Sequence, residues 1–303
     1  MVILLRITVF FFSYLATFVV TAAVSNWVDI SIENGHVKMP VTLAGRAGMA
    51  ILDSGAQVNG INEGFVQAHA LQLVRSAPVE IIGVYGRAKR DTYSQVTVGL
   101  FGANLVFNDM VESYLGKNEN AVILGAGFLA RFIFQIDYPN NRMRIMSRDA
   151  IDLAALSNIE SARQQGSGRP IIKVSLNEQE NVWLLLDTGN SGGILIERYI
   201  AKGHQWLEQY PVSTELSAGV NALVYNEAFS LPSMKVGPFD LENVTVSVPA
   251  EGQKSNISSQ YEKSFSRIKG RKIEGIVGYD VLKHFIVTFD YVSGNVHLAL
   301  PEA

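Results

Sequence analysis

The chain has 303 residues, 48% of them hydrophobic and 17% charged, enough apolar material for one large core or two smaller ones. Its formal net charge of −3 gives no cationic excess to neutralise a phosphate backbone, so nucleic acid is not an expected partner. Cysteine is absent, and the fold must therefore stand on its core without disulfide staples.

Residues 1–23 carry one basic residue, Arg6, and then an apolar run that ends in Thr21-Ala22-Ala23. Small residues after an apolar stretch mark a signal peptide, which predicts export to the periplasm or secretion. The run from Ile7 to Val24 is also 18 residues long, close to a bilayer span, so an uncleaved anchor holding residues 7–24 in a membrane stays open beside cleavage.

Next comes an apolar strand, Met49-Ala50-Ile51-Leu52, which runs into Asp53-Ser54-Gly55. After alternating segments such as Val79-Glu80-Ile81-Ile82, the stretch 96–107 reads as strand, glycine turn and strand. Residues 121–145 follow as a strand ending in Gly125, a short helical turn with Leu129 and Phe132, an alternating strand into Asp137-Tyr138, and a hairpin. Residues 147–169 open with a potential short helix and close on Gln-Gln-Gly-Ser-Gly, the composition of a flexible linker.

Every one of these landmarks then returns in the same order. Trp183-Leu184-Leu185-Leu186 runs into Asp187-Thr188-Gly189, residues 234–246 repeat the strand, turn and strand, and residues 274–298 repeat 121–145 with Gly278, Leu282, Phe285 and Asp290-Tyr291. The acidic residues of the two tripeptides are 134 positions apart and the Asp-Tyr pairs 153 apart, so the second copy holds about 19 additional residues. The polar, serine-rich and basic stretch 251–272 is their expected place, as an exposed loop. β-branched enrichment and period-two alternation predict a mostly antiparallel, all-β chain of two similar lobes.

One Asp-Ser/Thr-Gly is an ordinary turn sequence; two at equivalent places in a duplication are not. A carboxylate at the end of an apolar strand is costly unless something compensates it, and a pseudo-twofold axis would bring Asp53 and Asp187 together. Two such groups in contact hold one proton between them. One then serves as base for water and the other as acid for a carbonyl. Ser54 and Thr188 place hydroxyls for cross-lobe bonds, and Gly55 and Gly189 let backbone approach the acids.

The repeated Leu-Asp-Ser/Thr-Gly motifs, each followed by an Ile-Leu/Val-Gly strand (residues 123–125 and 276–278), resemble the retropepsin and pepsin clan of aspartic peptidases over residues 27–300. The resemblance implies a pepsin-like, bilobal all-β fold with a few short helices, its lobes at 24–146 and 170–303 joined by 147–169. It implies a monomer that is an internal pseudo-dimer, acting as an endopeptidase on extended peptides without cofactor or metal. It also implies flap hairpins, one with Tyr85 and Gly86 near its tip and one with Gly219 near its tip; an exposed hairpin aromatic is the other reading of Tyr85. Asn190, where the family often has Ala or Ser, and Ala126-Gly127 against Tyr279-Asp280 bear on substrate preference. The five histidines, His36, His69, His204, His284 and His297, share no spacing that supports a metal site or a histidine triad. A catalytically silent peptide binder of the same fold is the rival function, and a two-carboxylate glycosidase a more remote one.

Overall fold

A computed structural model describes residues 23–165, 167–257 and 271–301. Residues 1–22 lie outside them, as does 258–270, the larger part of the expected loop. Among the described residues no helix is long and apolar enough to cross a membrane. Strands dominate, helices are four to six residues long, and the chain is all-β as its alternation predicts.

Each copy of the duplication builds its own sheet. A ten-stranded sheet takes its strands from residues 31–124, and an eight-stranded sheet from residues 161–277. In the first, Arg46–Leu52 pairs in parallel with Asn120–Leu124, placing Ile51 beside Ile123 and Leu52 beside Leu124. In the second, Glu180–Leu186 pairs in parallel with Gly275–Val277, placing Leu185 beside Ile276 and Leu186 beside Val277. Their ends nearest the acids, Ala50-Ile51-Leu52, Val122-Ile123-Leu124, Leu184-Leu185-Leu186 and Ile276-Val277, are apolar because both of their faces are covered, while the far ends carry exposed residues such as Arg46 and Asn181. Leu52, Leu124, Leu186 and Val277 point into the main core, and each is fully buried. Both polar acids are thus delivered at the ends of strands with no freedom to move.

A five-stranded sheet joins the copies. Its central pair is Ile133–Asp137 against Ile286–Asp290, antiparallel, with Ile133 opposite Asp290 and Asp137 opposite Ile286. Given the 153-residue offset, each residue faces the counterpart of its mirror position, so a pseudo-twofold axis passes through the middle pair, Gln135 and Thr288. Gln135 Nε2 donates to Thr288 Oγ1 at 2.8 Å on that axis. Phe134 and Phe289, both fully buried, stack with centroids 5.7 Å apart beside it. The Asp-Tyr acids cap the hairpins that follow. Asp137, fully buried, accepts from Asn140 and from Arg142 Nε at 2.8 Å, and Asp290 accepts from Arg148 and from the amides of Val292 and Ser293.

Two segments differ from their compositional reading. On either side of the Gln-Gln-Gly-Ser-Gly tail the chain is tied down: Ser161–Arg163 pairs with Pro170–Leu176, and Gly168 donates to Gln164 O at 3.0 Å. Gln164 and Arg169 are each only 4% exposed. The strands on either side close the turn, and the buried Arg169 ties it down. Of the stretch 251–272, Ile257 is 1% exposed and Asn256 donates its amide to Val84 O at 2.7 Å. An aliphatic residue in a polar run found an apolar partner surface, so this part of the loop is packed.

Phe289→Ala should cost about 3–5 kcal/mol, because it empties a core site shared by both copies. Chemical denaturation checks this, and a loss below about 1 kcal/mol would mean that the joining sheet does not depend on the stack.

Candidate active site

The parallel strand pairs end level with each other across the pseudo-twofold axis, and the two tripeptides meet there by exchanging hydrogen bonds. The amide of Ser54 donates to Thr188 Oγ1 at 3.0 Å, and the amide of Thr188 donates to Ser54 Oγ at 2.9 Å. Each hydroxyl in turn donates to the opposite strand, Ser54 Oγ to Leu186 O at 2.6 Å and Thr188 Oγ1 to Leu52 O at 2.8 Å. Ser54 and Thr188 are almost fully buried, so four bonds in a dry site fix the relative position of two strands 134 residues apart.

This exchange sets the acids face to face. Any Cβ on Gly55 would collide with the carboxyl of Asp187, and any Cβ on Gly189 with that of Asp53. Glycine is therefore required at both positions by close approach rather than by a special backbone angle. Asp53 Oδ1 accepts from the amide of Ala56 at 2.9 Å, and Asp187 Oδ1 accepts from that of Gly189 at 2.9 Å. The two side chains lie within hydrogen-bonding reach of one another. Asp187 is only 8% exposed. Burial, and then the neighbouring Asp53 charge, push its carboxyl well above the ordinary carboxylate range, against the Gly189 amide and the Arg169 charge, which pull it down.

Two basic side chains, His36 and Arg169, sit beside the acids, and the sequence did not place either of them there. Ladder register equates them: Lys38 pairs with Ile51 and Ile171 pairs with Leu185, so His36 and Arg169 occupy the same place in the two copies. Arg169 Nη1 donates to the carbonyl of Gly55 across the axis. His36 lies near Asp53 and the Gly189 backbone, and burial depresses its pKa while Asp53 raises it. The sequence signal for either is a polar residue at the start of a strand: His36 opens His36–Leu43, and Arg169 immediately precedes Pro170–Leu176.

Asn190 reaches Asp187 only through the backbone, its amide donating to the Asp187 carbonyl at 3.2 Å. Its Oδ1 accepts from the amide of Gly192 at 3.1 Å, and its backbone carbonyl accepts from Tyr279 as that of Ala56 does from Ala126. Among the described residues no group of His, Asp and Glu could hold a metal ion.

The expected hairpins are present. The first joins Val74–Ile82 to Arg87–Ser94 with Tyr85 and Gly86 in its turn, and the second joins Ser213–Ala218 to Leu223–Val236 with Gly219 in its turn. Their tips engage each other: Asn221 Nδ2 donates to Ile81 O at 2.9 Å, and Arg90 Nη2 to Val220 O at 3.3 Å. Gly86 is exposed, but Tyr85 is not the exposed aromatic of one reading; it is 4% exposed, turned in beneath the second hairpin.

Residues 172–281 match the model of an aspartyl protease family. The match spans Asp187-Thr188-Gly189 and the Gly278 strand, in agreement with the resemblance carried by the repeated motifs. No curated protein matches the chain.

The pKa of Asp187 gives a stability test. Because its carboxyl is raised in the folded protein, folding retains a proton that the unfolded chain releases above its ordinary value of 3.8. Stability is therefore lost as pH climbs from about 4 through the raised value. Asp187→Asn removes the charge and keeps the Gly189 bond, so its Tm should exceed that of the parent by a margin that grows from pH 4 to neutrality. A variant less stable than the parent at neutral pH would contradict this.

Proposed function

We propose that this chain, whose residues 172–281 match an aspartyl protease family, is an aspartic endopeptidase with a pepsin-like pair of lobes and one active site between them. The observation that carries this reading is the contact between Asp53 and Asp187, each backed by the other copy's glycine. A buried acid facing a second, half-buried one destabilises a fold, so the pairing needs a purpose beyond structure.

In the resting state the pair holds one proton, placed on Asp187 in line with its raised pKa, and Asp53 serves as the base. A water between them gives a proton to Asp53 as its oxygen attacks the peptide carbonyl carbon. Asp187 donates its proton to the carbonyl oxygen, leaving a neutral tetrahedral diol. Asp53 then passes its proton to the amide nitrogen, the C–N bond breaks, and Asp187 recovers a proton from the diol. The Ser54 and Thr188 hydroxyls hold the strands that carry the acids in place throughout, and the Ala56 and Gly189 amides hold the carboxyls themselves. The substrate is an extended peptide laid under the two hairpins, and the apolar run at residues 7–24 supports action outside the cytoplasm, free or membrane-attached.

Asp53→Asn and Asp187→Asn should each lower turnover of a mixed peptide library by about 10³-fold or more, and the double variant should lose little further, because the acids act as a unit. The pH profile should be a bell whose alkaline limb lies above the ordinary carboxylate range, since the raised acid must keep its proton. A single variant that keeps substantial activity, or an alkaline limb at pH 4, would overturn the mechanism.

A further inference from the structure

Strand alternation sorts the side chains of the joining sheet onto two faces. Phe134, Ile136, Val287 and Phe289 enter the main core, together with Leu184 and Leu186 of the strand that delivers Asp187. Leu185, between those two, faces the other way, into the cluster that includes Tyr85 of the first hairpin. The core therefore lies between the joining sheet and the hairpins, and the outer face of that sheet looks away from the cleft. Across the outer face the ladder register lines up Arg144, Gln135, Thr288 and His297, while Leu153 covers the corner with Ile133 and Met146.

The apolar run at residues 7–24 meets the fold on this sheet. Its last two residues are already part of the edge. The amide of Ser147 donates to Ala23 O at 2.9 Å, the amide of Ala23 donates to Ser147 Oγ at 2.9 Å, and Val24 bridges to Met146. Cleavage after Ala23 would take that partner from the Ser147 amide. No spacer separates the run from the sheet, so whatever holds the run also holds this end of the molecule. Three residues on, Trp27 is half-buried, and the guanidiniums of Arg142 and Arg144 each lie 4.4 Å from its ring. Arg142 pairs with the buried Asp137 and keeps 41% of its side chain exposed, so its remaining N–H groups look outward. Asp29 and Asp149 are exposed on the neighbouring segments, so the face offers individual donors rather than a field of one sign.

We propose that the outer face of the joining sheet rests on a phospholipid bilayer, with residues 7–24 as a retained anchor and Trp27, Arg142 and Arg144 at the level of the headgroups. A ring flanked by guanidiniums suits that depth, where indole meets the upper acyl chains and N–H groups meet phosphate. A run that joins the fold without a spacer cannot hold it at a distance, and a bilayer on this side leaves the cleft and both hairpins turned to water. The consequence for substrate rests on the reading of the cleft as a peptidase site: the peptide arrives from the aqueous side, and a chain lying on the membrane surface is out of reach.

The absence of cysteine lets a single reporter be placed on the 303-residue chain. Ala299→Cys marks the edge of the outer face farthest from the run, and Leu216→Cys marks the second hairpin. Each variant is labelled with bimane and reconstituted in phosphatidylcholine vesicles that carry headgroup spin labels. Quenching should be several-fold stronger at residue 299 than at residue 216. Adding Trp27→Ala and Arg144→Gln should lower it at residue 299 about twofold, with the protein still in the vesicle fraction. Equal quenching at both sites would overturn the inference, as would unchanged quenching in that variant, or a mass lacking residues 1–23 for protein exported by a bacterial host. The parent is then given one peptide either free in solution or fixed directly to a phospholipid headgroup. Hydrolysis of the free form alone is expected, and equal hydrolysis of both would overturn the orientation. Hydrolysis of neither, with the quenching as expected, would sink the catalytic reading and leave the membrane face standing.

Discussion

The reciprocal exchange between Ser54 and Thr188 is the constraint on which the rest of the site depends. Each residue uses its amide as donor and its hydroxyl as both acceptor and donor, so the two strands are locked through four bonds without a single unpaired group among them. Any displacement of one copy against the other breaks several of these bonds in a place water does not reach, where an unsatisfied donor is costly. The glycines that follow then have no choice of position: each lies against the opposite carboxyl. Repulsion between the two acids is thereby held in check by hydrogen bonds that involve neither.

The joining sheet makes the same symmetry visible at the other end of the molecule. Its central strands pair about Gln135 and Thr288 with the register that a twofold demands, although the two residues differ. Symmetry of backbone and asymmetry of side chain recur at the cleft. His36 against Arg169, Lys38 against Ile171, and Gly60 against Leu195 are pairs in equivalent places with different chemistry. Lys38, 3% exposed, pairs with Glu33 at 2.8 Å, while its counterpart Ile171 packs in an apolar cluster with Leu185, Leu195 and Ile276. A fused pair permits this divergence because each copy is free to change alone.

The repeated tripeptides, the Gly-ending strands and the two hairpins were legible in the sequence because each is a local pattern with a fixed order, and duplication turned weak signals into strong ones. Arg169 and His36 were not legible, since their equivalence follows from ladder pairing and a one-residue difference in the intervening turns. The burial of Tyr85 depends on how closely two distant hairpins approach. Ile257 was hidden by polar neighbours that gave its segment the composition of an exposed loop, and the strand pairing on either side of the Gln-Gln-Gly-Ser-Gly tail is long-range information that a flexible-linker composition does not carry.

The central claim is that Asp53 and Asp187 form one titrating unit held together by the hydroxyl exchange. Carbon-13 carboxyl titration by NMR, on the parent and on Thr188→Val, tests it most directly. The account predicts two well-separated steps in the parent, the upper one above the ordinary carboxylate range, and a smaller separation when the Thr188 hydroxyl is lost and the acids move apart. Two independent titrations near pH 4 in the parent would contradict it.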